Sequence, residues 1–140
     1  MQKKVSLYIH LVWHTWDNLP LITPTVERRL YRNIESIACK AECTVLAIDG
    51  NVDHIHLLVT LPTTLTIAQL MKQIKGVSAR FVNNELDLQE VFKWQGGYGA
   101  FSVSRWDVQK ITTYIQNQKE HHQTSDLWAE LERATAVGHD

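Results

Sequence analysis

The order of hydrophobic patterns along the chain predicts an α+β fold. The expected core is a ferredoxin-like βαββαβ antiparallel sheet with helices on one face, followed by C-terminal helices. Three observations carry this reading. Short runs rich in β-branched and aromatic residues mark strands. Two longer segments between them repeat apolar residues at three- and four-residue steps, the helical period. The tetrapeptide GNVD joins the two central runs as a hairpin turn.

Each element follows in order. Residues 5–15, VSLYIHLVWHT, read as the first strand. The segment DNLPLITP is a connector punctuated by Pro20 and Pro24. From Thr25, Val26, Leu30, Ile34, Ile37 and Ala41 form the apolar stripe of a helix. Residues 44–49, TVLAID, are a strand that turns through GNVD into its partner, HIHLLVTL. Pro62 to Thr66 is a loop, and Thr66 can cap the helix that follows. That helix carries Ile67, Leu70, Met71, Ile74 and Val77 on one side and Lys72 and Lys75 on the other. Residues 83–96 read as loop, and GYGAFSVS, residues 97–104, as a strand with a glycine-flexed start. Residues 106–122 read as one helix with the stripe Val108, Ile111 and Ile115, and a last short helix begins at Ser125.

With 140 residues and 16.1 kDa the chain reads as a single domain spanning residues 1–140, large enough to bury a core without staples. No apolar run approaches the ~20 residues needed to span a bilayer. The N-terminus begins like a signal peptide, but His10, His14 and Asp17 interrupt it and no small-residue cleavage site follows. A cytoplasmic protein with no membrane partner is expected. Cys39 and Cys43 have neither the redox spacing nor enough companions for zinc, and read as small core or boundary residues. A net charge of −1 and a pI near 6.6 argue against non-specific coating of nucleic acid. They leave room for a local basic patch at Lys72, Lys75 and Arg80.

The segment DHIHLLV, residues 53–59, raises the functional question. Strand side chains alternate, so His54 and His56 share a face while Ile55, Leu57 and Val59 take the other, against helices. Their α-carbons lie about 6.6–7 Å apart, close enough for both imidazoles to meet one divalent ion. The competing reading is two polar residues on a solvated sheet face. A metal site normally has a third protein ligand, and the helix TTYIQNQKEHH offers candidates. Tyr114 and Gln118 are four apart and flank the apolar stripe, at the border of core and solvent. His121 lies on about the same face, whereas His10 and His122 read as ordinary surface or sheet residues.

Taken in order, D-H-I-H-L-L-V, I-K-G-x-S, W-Q-x-G-Y-G-A-F-S-V-S and Y-I-x-N-Q-K-E-H-H closely resemble the single-tyrosine HUH transposases. These are the TnpA-like enzymes of small bacterial insertion sequences, with relatives associated with repetitive extragenic palindromes. HUH denotes His, a bulky apolar residue, His; here it is His54-Ile55-His56. The resemblance runs from HLVWHT at residues 10–15 to the histidines at 121–122. It implies the HUH endonuclease type of fold, His54, His56 and Gln118 as metal ligands, and Tyr114 as the nucleophile. It further implies Mg²⁺ or Mn²⁺, a substrate of single-stranded DNA with hairpins near the element's ends, and a homodimer. In that dimer the tyrosine helix can complete the other subunit's active site. The chain departs from many members after HLVWHT, where Trp16, Asp17 and Asn18 stand in place of basic residues.

The chemistry so implied is transesterification at phosphorus. A phenol, with a pKa near ~10, both attacks and leaves well, so a 5′-phosphotyrosine stores the bond energy for rejoining. Neutral ligands leave an ion's full charge facing the phosphate, and because histidine binds metal only when uncharged, activity should fall at acid pH. For the strand itself, Lys72, Lys75 and Arg80 can meet phosphates, and Trp94, Tyr98 and Phe101 can stack unpaired bases; equally, Trp94 and Phe101 read as core residues and the helix lysines as a solvated face. Two alternatives stand beside this. One is a retired relative that holds hairpin DNA without cutting it. The other is a small-molecule or RNA phosphodiesterase, which would need two H-x-[ST] motifs where only one histidine pair occurs.

Overall fold

The computed structural model describes residues 4–86 and 88–121. Four strands form one antiparallel sheet: β1 (Tyr8–His14), β2 (Val45–Asn51), β3 (His54–Thr60) and β4 (Gly99–Val103). Their order across the sheet is β2-β3-β1-β4, the ferredoxin-like arrangement that the sequence predicts. Helix α1 (Pro24–Lys40) crosses from β1 to β2 and α2 (Ile67–Glu85) from β3 to β4. Two further helices, α3 (Val108–Gln116) and α4 (Gln118–His121), follow β4.

Alternation divides the sheet into two faces of different chemistry. Ile9, Leu11 and Trp13 of β1 and Ile55, Leu57 and Val59 of β3 point into the main core. Val26, Leu30, Ile34 and Ile37 of α1 and Leu70, Met71, Ile74 and Val82 of α2 close it from the other side. Burying each such side chain is worth roughly 1.5–3 kcal/mol. Pro24 sits in the first turn of α1, where its missing N–H costs nothing. Thr66 starts α2 with a reciprocal capping box: its hydroxyl accepts from Gln69 N–H (3.1 Å), and the Gln69 side chain accepts from Thr66 N–H (2.9 Å). Among the described residues no helix is long and apolar enough to cross a membrane.

Two boundaries differ from expectation. Helix α2 continues to Glu85, because the apolar stripe extends through the buried Val82 to Leu86. The segment after it is tied down by Asn83. Its amide donates to Phe92 O (2.9 Å) and accepts from Phe92 N–H (2.7 Å), giving an irregular stretch the regular partners it would otherwise lack. The expected helix over 106–122 breaks at Asn117, which leaves helical geometry and divides α3 from α4. The short helix expected from Ser125, and His122, lie outside the described residues. Cys39 and Cys43 are free thiols, one exposed and one buried.

The second sheet face is not the solvated surface of the competing reading. Helix α3 covers it, and Ile115 packs with Leu58, Ala47 and Val103 in a smaller apolar cluster. The imidazoles of β1 and β3 lie on this face.

Candidate active site

The β1–β3 register sets the site. Val12 pairs with His56 and His14 with His54, while His10 stands opposite Leu58. Side chains directly opposite on antiparallel strands share a face, so four histidines gather on one side of the sheet. The His54 and His56 ring centroids are 5.2 Å apart, His14 lies 5.4 Å from His54, and His10 lies 5.0 Å from His56. Burial is nearly complete for His10, His54 and His56.

The tip of the β2–β3 hairpin is held firmly. Thr15 N–H donates to Asp53 O (2.9 Å) and Ile22 N–H to Val52 O (2.8 Å), fixing the turn against the chain that leaves β1. Asp53 in turn orients His54, whose Nδ1 lies 2.8 Å from Asp53 Oδ1. A carboxylate only accepts, so Nδ1 carries the proton and Nε2 presents its lone pair inward.

Helices α3 and α4 bring the remaining groups. The Tyr114 ring lies 5.9 Å from that of His56 and meets it edge-on. Gln118 is fully buried; its amide nitrogen donates to Tyr114 O (3.2 Å), which turns its Oε1 toward His54 Nε2 at 3.5 Å. The two atoms lie at the long end of hydrogen-bond distance, and both can offer lone pairs to a cation when the only His54 proton is on Nδ1. Next to Gln118, Lys119 straps α4 to the sheet edge. Its ammonium bonds Glu27 of α1, Asp49 Oδ1 of β2 (3.1 Å) and Gly50 O (3.4 Å). Burial alone would lower its pKa, but the bonds to Glu27 and Asp49 hold it above the ordinary value. Burial also pushes the neighbouring Tyr31 phenol up, aided by the charges of Glu27 and Asp49, so it stays protonated. His10 is pushed down to about 4 by burial, so it is neutral near pH 7.

The donor set suits a hard or borderline divalent cation: two neutral imidazoles and an amide oxygen, converging on a dry face. Among the described residues no group of three or more His, Cys, Asp or Glu side chains is arranged to hold a metal ion. Beside the two imidazoles, Gln118 Oε1 is the polar atom that could serve an ion as a third ligand.

Of the residues singled out by sequence, His54, His56, Tyr114 and Gln118 come together within one chain. The proposed DNA contacts do not. Lys72 and Arg80 line an exposed groove on α2, across the sheet from the histidines. The Lys75 ammonium is committed to Gln95 O (2.6 Å) and Gly97 O (3.0 Å). Trp94 is a correction: it is buried beside Trp13 and Phe92, and its indole N–H donates to Ser78 Oγ (3.0 Å), so it has no free face for a base. Tyr98 is 40% exposed and shares with His14, Asp17, Asn18 and Gln95 the wall of a cavity of about 540 Å³ next to the site. Sequence reasoning missed His10, His14 and the orienting role of Asp53. The first two needed the strand register; Asp53 was visible in DHIHLLV but has no role until the hairpin is folded.

The pattern of the family described as IS200-like transposases matches residues 3–118. The chain belongs to the IS200-like transposase family. Among solved structures, it is similar to a candidate transposase from Deinococcus radiodurans R1, at 27% identity and a TM-score of 0.65. That match covers 84% of this chain and 98% of the other. A REP-associated tyrosine transposase bound to a REP hairpin matches with the same TM-score at 14% identity, over 87% of this chain and 72% of that one, a likeness of fold. No curated protein matches significantly. The chain is thus a TnpA-like transposase by its family, with the α+β fold of these solved structures.

Proposed function

We propose that this IS200-like transposase nicks and rejoins single-stranded DNA at hairpin-marked element ends through a 5′-phosphotyrosine. Tyr114 is the nucleophile. His54, His56 and Gln118 are the protein ligands of a Mg²⁺ or Mn²⁺ ion. Residues 1–140 act as one HUH domain, in the cytoplasm and as a homodimer. The reading is supported above all by the approach of the Tyr114 ring to within 5.9 Å of His56, on the face where Gln118 Oε1 meets His54 Nε2.

The steps follow from these groups. A divalent ion bound there supplies Lewis-acid stabilisation of the phosphate's non-bridging oxygens. The Tyr114 oxygen forms a bond to phosphorus in line with the P–O3′ bond, which breaks. The phenol gives up its proton and the departing 3′-oxygen gains one. The products are a free 3′-hydroxyl and DNA joined to Tyr114 through its 5′-phosphate. Attack by a 3′-hydroxyl on that linkage runs the step in reverse and joins strands without a nucleotide cofactor. Burial under α3 keeps water from competing with the hydroxyl.

The hairpin bound by the REP-associated neighbour supports hairpin DNA as the substrate. Tyr98, exposed beside His14, suits an unpaired base near the cut. Lys72 and Arg80 suit the phosphates of a stem held on the opposite side of the sheet.

The test is to incubate the protein with a single-stranded hairpin oligonucleotide and Mn²⁺ and run the mixture under denaturing conditions. A protein–DNA adduct is expected. Tyr114→Phe should abolish it while hairpin binding persists, and His56→Ala should abolish both adduct and metal uptake. Binding with no adduct in the wild type would identify a hairpin-holding relative that does not cut. An adduct from Tyr114→Phe would remove Tyr114 from its role.

A further inference from the structure

We infer that His10 is a positioning residue for His56: it accepts the proton of His56 Nδ1 and so turns His56 Nε2 toward the metal position. The inference rests on the reading of His56 as a metal ligand and names a residue outside that ligand set.

A neutral imidazole has one N–H and one lone pair, and which nitrogen holds the proton is decided by its neighbours. A histidine that binds metal through one nitrogen generally donates its other N–H to a fixed acceptor, which sets the tautomer and the ring plane. For His54 the acceptor is the Asp53 carboxylate, 2.8 Å from Nδ1. His56 has a counterpart at the same distance: His10 Nε2 lies 2.8 Å from His56 Nδ1. If His56 coordinates through Nε2, its Nδ1 bears the proton, and His10 Nε2 must be the acceptor. Both Nδ1 atoms are then held from outside, and both rings turn their Nε2 atoms toward the site.

The packing fits this role. His10 and His56 stack with centroids 5.0 Å apart and planes 28° from parallel, so the ring of one fixes the plane of the other. Both are buried, at 2% and 0% exposure, so no bulk water competes for the bond. Phe101 stands 6.0 Å from His10 on the far side, and the Tyr114 ring is 6.4 Å away. Strand pairing makes the contact: with His10 opposite Leu58 and Val12 opposite His56, the two histidines are diagonal neighbours across β1 and β3.

The test measures binding of Mn²⁺ alone by titration calorimetry to the wild type, His10→Phe, His10→Gln and His56→Ala, with nitrogen NMR of the imidazoles in metal-free wild-type protein. His10→Phe keeps the flat ring and removes the acceptor; it should weaken Mn²⁺ binding roughly 10–100-fold, the usual loss when a ligand's outer partner is removed. His10→Gln returns an acceptor in place of Nε2 and should recover most of that loss. A role in packing alone would give the opposite order, with Phe the better substitute. The NMR spectrum should show the His56 proton on Nδ1. This reading is overturned if that proton is on Nε2, or if His10→Phe binds as tightly as wild type. Should His10→Phe fail to fold, the NMR result on the wild type decides. A wild type that takes up no Mn²⁺, or a His56→Ala that binds it as well, defeats the ligand reading itself, and this inference with it.

Discussion

Replacing Gly50 by alanine should damage both the fold and the proposed metal site, because the hairpin leaves no room for a side-chain carbon there. Gly50 pairs with Ile55 across β2 and β3. A Cβ built on it would stand 2.1 Å from the His54 carbonyl oxygen and 3.0 Å from Ile55 Cα. Both neighbours are backbone, so no rotamer change relieves the contact. Restoring even a 3.0 Å separation needs the strands to part by about 0.9 Å at this point. Overpacking of this kind costs about 1–3 kcal/mol. For a chain of this length that is a fall of roughly 3–15 °C in melting temperature. The moved strand carries His54, and metal ligation tolerates only about 0.2 Å of error, so Mn²⁺ affinity should drop as well. Gly76→Ala is the control. It lies on the exposed side of α2 with nothing within 4 Å of its Cβ position. There the same substitution should stabilise by about 0.5–1 kcal/mol through helix propensity and a less flexible unfolded chain. Thermal unfolding followed by circular dichroism, with Mn²⁺ calorimetry on the same samples, reads both effects. A Gly50→Ala protein that melts with the wild type and binds Mn²⁺ equally well would refute the reasoning.

Other substitutions separate the site from its scaffold. Gln118→Ala removes the amide oxygen that faces His54, and Mn²⁺ affinity should fall at least as far as for loss of an outer partner, roughly 10–100-fold, by calorimetry. Asn83→Ala strips both backbone partners from the buried Phe92 and should cost about 2–4 kcal/mol in urea unfolding, with no direct effect on the metal. Trp94→Phe should cost about 1–3 kcal/mol of stability by leaving Ser78 without its indole donor. Its hairpin affinity should match wild type in a gel-shift titration, as expected of a ring covered by the core.

The parts of the site legible in the sequence are those fixed by local periodicity. Two-residue alternation put His54 and His56 on one face and Ile55, Leu57 and Val59 on the other, and the fold keeps that division. Four-residue spacing joined Tyr114 to Gln118, which remain linked by a hydrogen bond even though the helix breaks between them at Asn117. What was not legible depends on register and on layers. Nothing local in HLVWHT says that His10 will lie beside His56, 46 positions away, since a slip of one residue between β1 and β3 would turn it into the other face. Trp94 stands beside glycines in an irregular stretch, where the sequence leaves core and base-stacking places equally open. Only the folding of 92–95 back onto α2 buries it. The same blindness hid the second helical layer: a stripe of Val108, Ile111 and Ile115 shows that α3 covers something, but not which face.

The account depends on Tyr114 being the atom that takes the DNA. Protease digestion of the hairpin adduct followed by tandem mass spectrometry locates the nucleotide directly. The peptide containing Tyr114 should carry it, linked through a 5′-phosphate to the phenolic oxygen. Nucleotide found on any other residue, Tyr98 included, or a strand cut with no covalent species at any time, would contradict the account.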